Sequence, residues 1–207
     1  MNRRASTVLI VFAKAPVAGL AKTRLTPALG ADGAAALAER LMAHAVAVGM
    51  SAGFAEVELC ATPDASHPSF VRLAAEHAGL RLGVQGDGDL GARMHRALTR
   101  RLADHPCALL IGTDAPALDA AVLECAAQAL ADHDAVFVPA LDGGYALVGL
   151  TRARAELFGD MAWSTPGVMA ETRMRARRAG LRWCELPAVA DIDEPADLVH
   201  LPAGWRP

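Results

Sequence analysis

The hydrophobic residues of this 207-residue chain fall into short apolar runs, most of them separated by segments with helical spacing. Apolar runs of about four to eight residues that are rich in β-branched side chains are typical of buried strands. The runs that fit this description cover residues 7–13, 57–61, 80–85, 108–113, 135–139, 145–150 and 182–186. Their alternation with helical patterns predicts an α/β fold.

The longest helical pattern predicts a helix over residues 31–49, where Leu37, Leu41, Ala45 and Val48 share one face. Similar apolar stripes predict helices over residues 70–78, 90–102 and 122–130. We expect these faces to cover a sheet.

The segment between residues 139 and 145 breaks the alternation. Two strand-like runs follow each other across residues 141–144, which are too few for a crossover helix. One strand should therefore run antiparallel. We expect one domain over residues 1–207, with a folded core of about 7–201, built as a mixed, mostly parallel sheet flanked by helices on both faces.

Composition and charge narrow the classes of partner. Hydrophobic residues make up 53% of the chain and the formal net charge is −3, so a large core can form and no overall positive field attracts nucleic acid. No apolar run approaches the roughly 18 residues of a membrane span. Lys14 ends the first run, which favours a buried strand over a signal peptide. The four cysteines form no C-x-x-C pair, and we expect buried thiols in a reducing, cytoplasmic compartment.

A basic loop follows the first predicted strand and contains Lys14, Lys22 and Arg24 together with Gly19. Loops at strand ends are where open α/β sheets bind ligands, and crowded cations favour a phosphate. The loop is not a Walker A motif, because Ala21 stands where a second glycine would precede Lys22. It predicts phosphate binding, with a solvated basic loop as the alternative.

Residues 86–91 spell G-x-G-x-x-G, the pattern of a dinucleotide-binding loop. This segment follows the third predicted strand instead of the first, and Asp87 and Asp89 would repel a pyrophosphate. Asp89 would equally cap the next helix. A second functional interpretation is that Gln85 and the open backbone of Gly86 and Gly88 face a nucleobase.

Asp114 lies at the end of a hydrophobic strand. A carboxylate there can bind Mg²⁺, which bridges phosphate oxygens, and the alternative is a turn or a helix cap. A second carboxylate would come from Asp142 or from residues 191–194. Within the latter segment, Asp193 would alternatively cap a helix that starts with Glu194.

Two further segments point to an acceptor pocket. Gly143 and Gly144 either make a simple hairpin turn or let a substrate approach the backbone, and both interpretations stay open. Trp163 could wall the pocket, while Thr165 at a cap and Pro166 in the first turn predict the start of a helix.

Six motifs occur in order along the chain: F-A-K-x-P-x-x-G-x-x-K-T-R-L, G-D-L-G-x-R-M, G-T-D-x-P, D-G-G-Y-x-L-x-G-L, W-S-T and D-I-D-E-P-x-D-L. Together they resemble the bacterial DUF2064 family, glycosyltransferase-like proteins also called radical-SAM/selenodomain-associated transferase 1. The resemblance runs from about residue 11 to residue 198. It implies the GT-A fold of the nucleotide-diphospho-sugar transferases, a group that includes molybdenum-cofactor and phospholactate nucleotidyltransferases.

The resemblance also implies roles for individual residues. The donor phosphates would face Lys14, Gly19, Lys22 and Arg24, and the nucleobase or ribose would face Gln85, Gly86 and Gly88. The metal would be held by Asp114 and Asp193. The acceptor or sugar side would be lined by Asp142, Gly143, Gly144, Tyr145 and Trp163.

These expectations lead to one main function and two alternatives. The main one is Mg²⁺- or Mn²⁺-dependent glycosyl transfer from a nucleotide diphosphate sugar to a small-molecule acceptor, with Asp114, Asp142 and Lys22 as catalytic residues. The first alternative is nucleotidyl transfer from a nucleoside triphosphate to a phosphate or carboxylate, with release of pyrophosphate. The second is a nucleotide-binding module without catalysis.

Overall fold

A seven-stranded mixed sheet lies at the centre of the protein, whose residues 3–205 are described in a computed structural model. In chain order the strands are β1 (Thr7–Lys14), β2 (Glu56–Thr62), β3 (Leu80–Val84), β4 (Cys107–Ile111), β5 (Ala135–Pro139), β6 (Tyr145–Leu150) and β7 (Trp183–Glu185). Their order in the sheet is β3-β2-β1-β4-β6-β5-β7. Strand β6 is antiparallel to β4 and β5, and the other pairs are parallel, which confirms the predicted antiparallel break.

Five α-helices cover both faces of the sheet, as the sequence predicts. They are α1 (Thr26–Ser51), α2 (Pro68–Glu76), α3 (Leu90–Leu102), α4 (Ala120–Ala129) and α5 (Val168–Arg178). Helices α1, α2 and α4 pack on the face that carries Leu9 and Val11 of β1. Helices α3 and α5 pack on the opposite face, with Val8 and Ile10. Both faces of β1 are buried because it lies inside a sheet with helices on either side.

The predicted boundaries fail at two helices. Helix α1 begins five residues earlier than its predicted start at residue 31, but Gly30 interrupts it with a φ of 71° and a ψ of 169°. The regular helix thus starts close to the predicted residue. Only the start of helix α5 was predicted, at Thr165 and Pro166, because basic side chains dominate the helix and its buried positions, which include Met169 and Ala176, make only a weak stripe.

Two predicted helix caps are wrong. Helix α5 starts at Val168, and the hydroxyl of Thr165 donates to the carbonyl of Ala162 at 2.8 Å instead of capping a helix. At the other site, Glu194 precedes a 3-10 helix over Pro195–His200. A reciprocal capping box joins Glu194 and Asp197 there, so the side chain of Asp193 is left for other contacts.

A small hydrophobic cluster ties the end of the chain to α1. It includes Leu25, Leu41, Ile192 and Leu201, and Ile192 is fully buried within it. The backbone N–H of Ile192 donates to the carbonyl of Asp114 at 2.8 Å. This anchor brings the carboxylates on either side of Ile192 next to the end of β4.

The cysteines only partly follow the expectation of buried thiols. Cys60 and Cys107 are buried and Cys184 is half-buried, but Cys125 is exposed on α4, which corrects the prediction for that residue. All four are free thiols. Within residues 3–205, the helices are too short or too polar to cross a bilayer.

Candidate functional site

A cleft of about 590 Å³ opens where β1, β2 and β4 reach their carboxyl ends. In open α/β sheets this edge is where ligands bind. The predicted site residues that line the cleft are Lys14, Lys22, Arg24, Gln85, Asp114, Asp142, Gly144, Tyr145, Trp163 and Asp193. Those that do not line it are Gly19, Gly86, Gly88 and Gly143.

The loop after β1 folds over one end of the cleft. The ammonium of Lys14 donates to the carbonyl of Leu20 at 2.8 Å and so ties the two ends of the loop together. Gly19 turns the chain with a φ of 76° and faces open space, so its contribution is to the loop's shape. Lys22 adopts the left-handed region with a φ of 49°, which is unfavourable for a residue with a Cβ.

Lys22 places its ammonium between two segments that are far apart in the sequence. Its Nζ lies 2.6 Å from Oδ1 of Asp114 and 3.7 Å from Oδ1 of Asp193, and it donates to the carbonyl of Ile192 at 2.5 Å. The side chain is only 7% exposed. Arg24 holds the other oxygen of Asp193 at 2.7 Å, from a more exposed position. Both carboxylates therefore face cations supplied by the loop.

The fit to a divalent metal rests on the donor chemistry of this pair. Asp114 and Asp193 lie on either side of one cation, and carboxylate oxygens are the ligands that Mg²⁺ and Mn²⁺ prefer. Within residues 3–205, no three His, Cys, Asp or Glu residues are close enough to chelate an ion. The two carboxylates would thus supply only part of the ligands of such an ion.

Asp191 and Asp142 add negative charge beside this pair. Burial raises the pKa of Asp191 above its usual value, and the nearby carboxylate of Asp142 raises that pKa further. Oδ1 of Asp142 accepts the backbone N–H of Gly144 at 2.8 Å, which orients the carboxylate at the cleft.

Gln85 lines the cleft, but its amide is already engaged. Nε2 donates to the carbonyls of Ala13 and Cys60 at 3.2 and 3.0 Å, and Oε1 accepts from Arg93 at 3.2 Å. The side chain therefore braces β1, β2 and α3, and reading a nucleobase through this amide would require breaking these bonds.

The glycine-rich segment after β3 is a turn held by Arg96. The guanidinium of Arg96 donates to the carbonyls of Gln85 and Asp87 at 2.7 and 2.9 Å. Gly86 and Gly88 have φ values of 74° and 99°, as the turn requires. Asp89 caps α3 by accepting the N–H of Ala92 at 2.8 Å, which is the alternative that the sequence left open.

Part of the cleft wall is apolar and aromatic. The rings of Tyr145 and Trp163 meet edge to face with centroids 6.3 Å apart, and Met94 lies beside them. Burial raises the pKa of the Tyr145 hydroxyl well above its usual value, so it stays protonated. Trp163 packs closely over α3, because a Cβ on Gly91 would fall 2.7 Å from the indole Nε1.

Gly143 contacts protein backbone instead of the cleft. A Cβ on this residue would fall 2.7 Å from Cα of Pro166 and closer still to its carbonyl oxygen. The carbonyl of Gly143 accepts the N–H of Met169 at 2.8 Å. One interpretation of the Gly143–Gly144 pair was that a substrate approaches the backbone closely. At Gly143, the segment that leads into α5 makes this close approach instead.

Several cleft residues were not predicted as site residues, among them Thr62, Arg93 and Thr113, whereas Asp191 was considered only as a source of the second carboxylate. The signal for Arg93 was present, since it belongs to the motif G-D-L-G-x-R-M and lies in the first turn of α3. Thr113 likewise belongs to G-T-D-x-P. Thr62 ends β2 without a motif and is placed by the sheet alone.

Comparison with known proteins shows the family to which the chain belongs. The sequence profile of DUF2064, described as an uncharacterized protein conserved in bacteria, matches residues 45–165. The chain belongs to the DUF2064 family. No curated protein matches the chain.

Solved structures support the same fold. A crystal structure from Desulfovibrio desulfuricans G20, provisionally named a nucleotide-diphospho-sugar transferase, has a TM-score of 0.87 and 27% identity over 100% of this chain and 91% of the other. Rv0371c from Mycobacterium tuberculosis H37Rv, solved with manganese, has a TM-score of 0.59 and 18% identity over 95% and 97%. A CMP:2-keto-3-deoxy-manno-octonic acid synthetase solved with CTP has a TM-score of 0.57 and 14% identity over 94% and 96%. The protein thus has the fold of nucleotide-diphospho-sugar transferases, and the neighbours support a transferase that uses a nucleotide.

Proposed function

We propose that the protein is a Mg²⁺- or Mn²⁺-dependent transferase that moves a sugar from a nucleotide diphosphate sugar to a small-molecule acceptor. One observation carries the proposal: a single cleft is lined by a cationic loop, a carboxylate pair and an aromatic wall. A nucleotide diphosphate sugar has the matching polarity, with a charged diphosphate beside a largely neutral sugar.

Lys14, Lys22 and Arg24 bind and orient the diphosphate. Three cations on one short loop neutralise charge on the departing diphosphate, which favours the transition state over the ground state. Asp114 and Asp193 hold the metal, which when bound supplies further charge neutralisation at the diphosphate. The hydrogen bond from Lys14 to the carbonyl of Leu20 fixes the shape of this loop, which lines the cleft.

Tyr145 and Trp163 form the aromatic wall against which the sugar and the acceptor pack. Asp142 is the candidate general base, because the N–H of Gly144 orients its carboxylate beside this wall. In that role it accepts the proton of the acceptor hydroxyl as the glycosidic bond forms.

Nucleotidyl transfer is the second candidate. The CTP-bound synthetase has the same fold, and the same basic loop and carboxylate pair would position a triphosphate for attack on its α-phosphate. The products separate the two reactions, since glycosyl transfer releases a nucleoside diphosphate and nucleotidyl transfer releases pyrophosphate. A binding module without catalysis would release neither.

The test is a binding panel of the four nucleoside triphosphates and of UDP-, GDP- and ADP-sugars, with and without Mg²⁺, by isothermal titration calorimetry. The variant is Asp114→Asn, and the control is Asp104→Asn, an exposed carboxylate beyond the far end of α3. We expect Mg²⁺-dependent binding of one nucleotide sugar to the wild type and the control, and loss of that dependence and of turnover in Asp114→Asn. Preference for a free triphosphate would favour nucleotidyl transfer. Binding that ignores Mg²⁺ in every protein would refute the metal role.

A further inference from the structure

The carboxylate pair of the cleft already has a cation. The ammonium of Lys22 has three N–H donors, and three oxygens surround it: Oδ1 of Asp114, the carbonyl of Ile192 and Oδ1 of Asp193. At 7% exposure the side chain has little water to replace them. Lys22 is therefore held by the same two carboxylates that the proposed function assigns to a metal.

A divalent ion and this ammonium cannot share the pair. An ion bound to Oδ1 of Asp114 at about 2.1 Å would lie within roughly 5 Å of the Lys22 Nζ, where repulsion between the two positive charges is large in a partly buried site. Arg24 adds a third positive charge at the other oxygen of Asp193. Lys22 must move before a metal can bind.

The backbone at Lys22 indicates that the ammonium contacts hold it in place. Its φ of 49° and ψ of 42° lie in the left-handed region, where L residues other than glycine are uncommon. Gly19, three positions earlier in the same loop, also has a positive φ, but it has no Cβ and so does not carry this conformational cost. Once its contacts with Asp114 and Ile192 are exchanged for others, nothing in the local backbone preference retains this conformation.

We propose that Lys22 is the resident cation of the Asp114–Asp193 pair, and that a divalent metal binds there only after a nucleotide diphosphate draws the ammonium onto its phosphates. The inference rests on the proposed function for the identity of that anion. Phosphate oxygens stabilise both the displaced ammonium and the incoming metal. Metal and nucleotide consequently bind with positive coupling, and the metal alone binds weakly.

The test measures Mn²⁺ affinity in the nucleotide-free protein by electron paramagnetic resonance, which detects the unbound ion and needs no turnover. The variants are Lys22→Met and Lys22→Gln, and the matched control is Arg152→Met, which removes an exposed cation that follows β6 at the edge of the sheet where β4 begins. Thermal unfolding of each variant establishes that it is folded.

We expect both Lys22 variants to bind Mn²⁺ at least about tenfold more tightly than wild type, because one positive charge has left the pair. Arg152→Met should match wild type, and the double variant Lys22→Met, Asp114→Asn should lose the gain. We expect one of the nucleotides UDP, GDP, ADP and CDP to bind to wild type and to raise the affinity of the protein for Mn²⁺. In Lys22→Met this increase in Mn²⁺ affinity should be smaller.

The inference is overturned if folded Lys22→Met and Lys22→Gln bind Mn²⁺ no more tightly than Arg152→Met. If wild type then still shows metal-dependent nucleotide binding, the proposed function survives without it. If the Lys22 variants gain Mn²⁺ affinity but no nucleotide binds to any protein, Lys22 is the resident cation and the proposed function, with its exchange step, is wrong.

Discussion

Gly143→Ala tests the tight approach between the Asp142 turn and the segment before α5. In the folded protein Gly143 has a φ of 93°, and an added Cβ would lie 2.7 Å from Cα of Pro166. Two costs therefore add in this variant. The left-handed conformation costs an alanine about 1–2 kcal/mol, and the backbone shift needed to admit the methyl group costs about 1–3 kcal/mol more.

Gly180→Ala isolates the first of these costs. Gly180 follows α5 with a φ of 65°, but a Cβ there would meet nothing within 4 Å. We expect this control to lose about 1–2 kcal/mol of unfolding free energy, and Gly143→Ala to lose about 2–5 kcal/mol. In a protein of this size the larger loss corresponds to a fall in Tm of roughly 4–20 °C.

Urea unfolding followed by tryptophan fluorescence measures both variants, with the free energy obtained by linear extrapolation. Unchanged slopes of free energy against urea would show that only stability has changed. If the losses of unfolding free energy in Gly143→Ala and Gly180→Ala agree within about 0.5 kcal/mol, the methyl group meets no obstruction. That result would refute the close packing of this turn against Pro166.

Two further predictions concern stability. Gln85→Ala should lose about 1–3 kcal/mol of unfolding free energy in urea, because buried backbone carbonyls of β1 and β2 lose their donor. The control Gln128→Ala, at an exposed position, should stay within about 0.5 kcal/mol of wild type. Equal losses in the two variants would mean that the Gln85 amide braces nothing. The second prediction concerns the pH dependence of stability. Hydrogen bonds from Arg173 lower the pKa of Glu185 below its usual 4.5. The Glu185 carboxylate therefore adds stability above pH 4.5, and this stability is lost as the pH falls through the folded-state pKa. Glu185→Gln should therefore lose less unfolding free energy than wild type between about pH 6 and pH 3, and parallel pH profiles would contradict this.

Much of the fold could be predicted from the sequence because burial imposes a local period on the chain. The strands over Ala135–Pro139 and Tyr145–Leu150 and the helix over Leu90–Leu102 have the bounds that the pattern predicts. The antiparallel strand followed from the length of one linker, since four residues cannot cross a sheet. Only the start of helix α5 was predicted, two residues too early, because few apolar residues mark its buried face.

The site was predictable only as a set of strand-end segments. Parallel strands bring their carboxyl ends to one edge, so the loops that carry Lys22 and Asp114 had to lie near each other. Which atoms meet there depends on contacts between residues that are distant in sequence. The hydrogen bond from Lys22 to Ile192 spans 170 positions, and no local pattern encodes it.

The sequence by itself therefore determined most of the elements, the family and the chemical character of the cleft, because period, turn chemistry and motif order are local properties. The tertiary structure alone decided that the Gln85 amide is occupied, that Gly143 makes room for Pro166, and that Lys22 lies between Asp114 and Asp193. Each of these depends on the packing of remote segments, in which the burial of Ile192 sets the position of the second carboxylate.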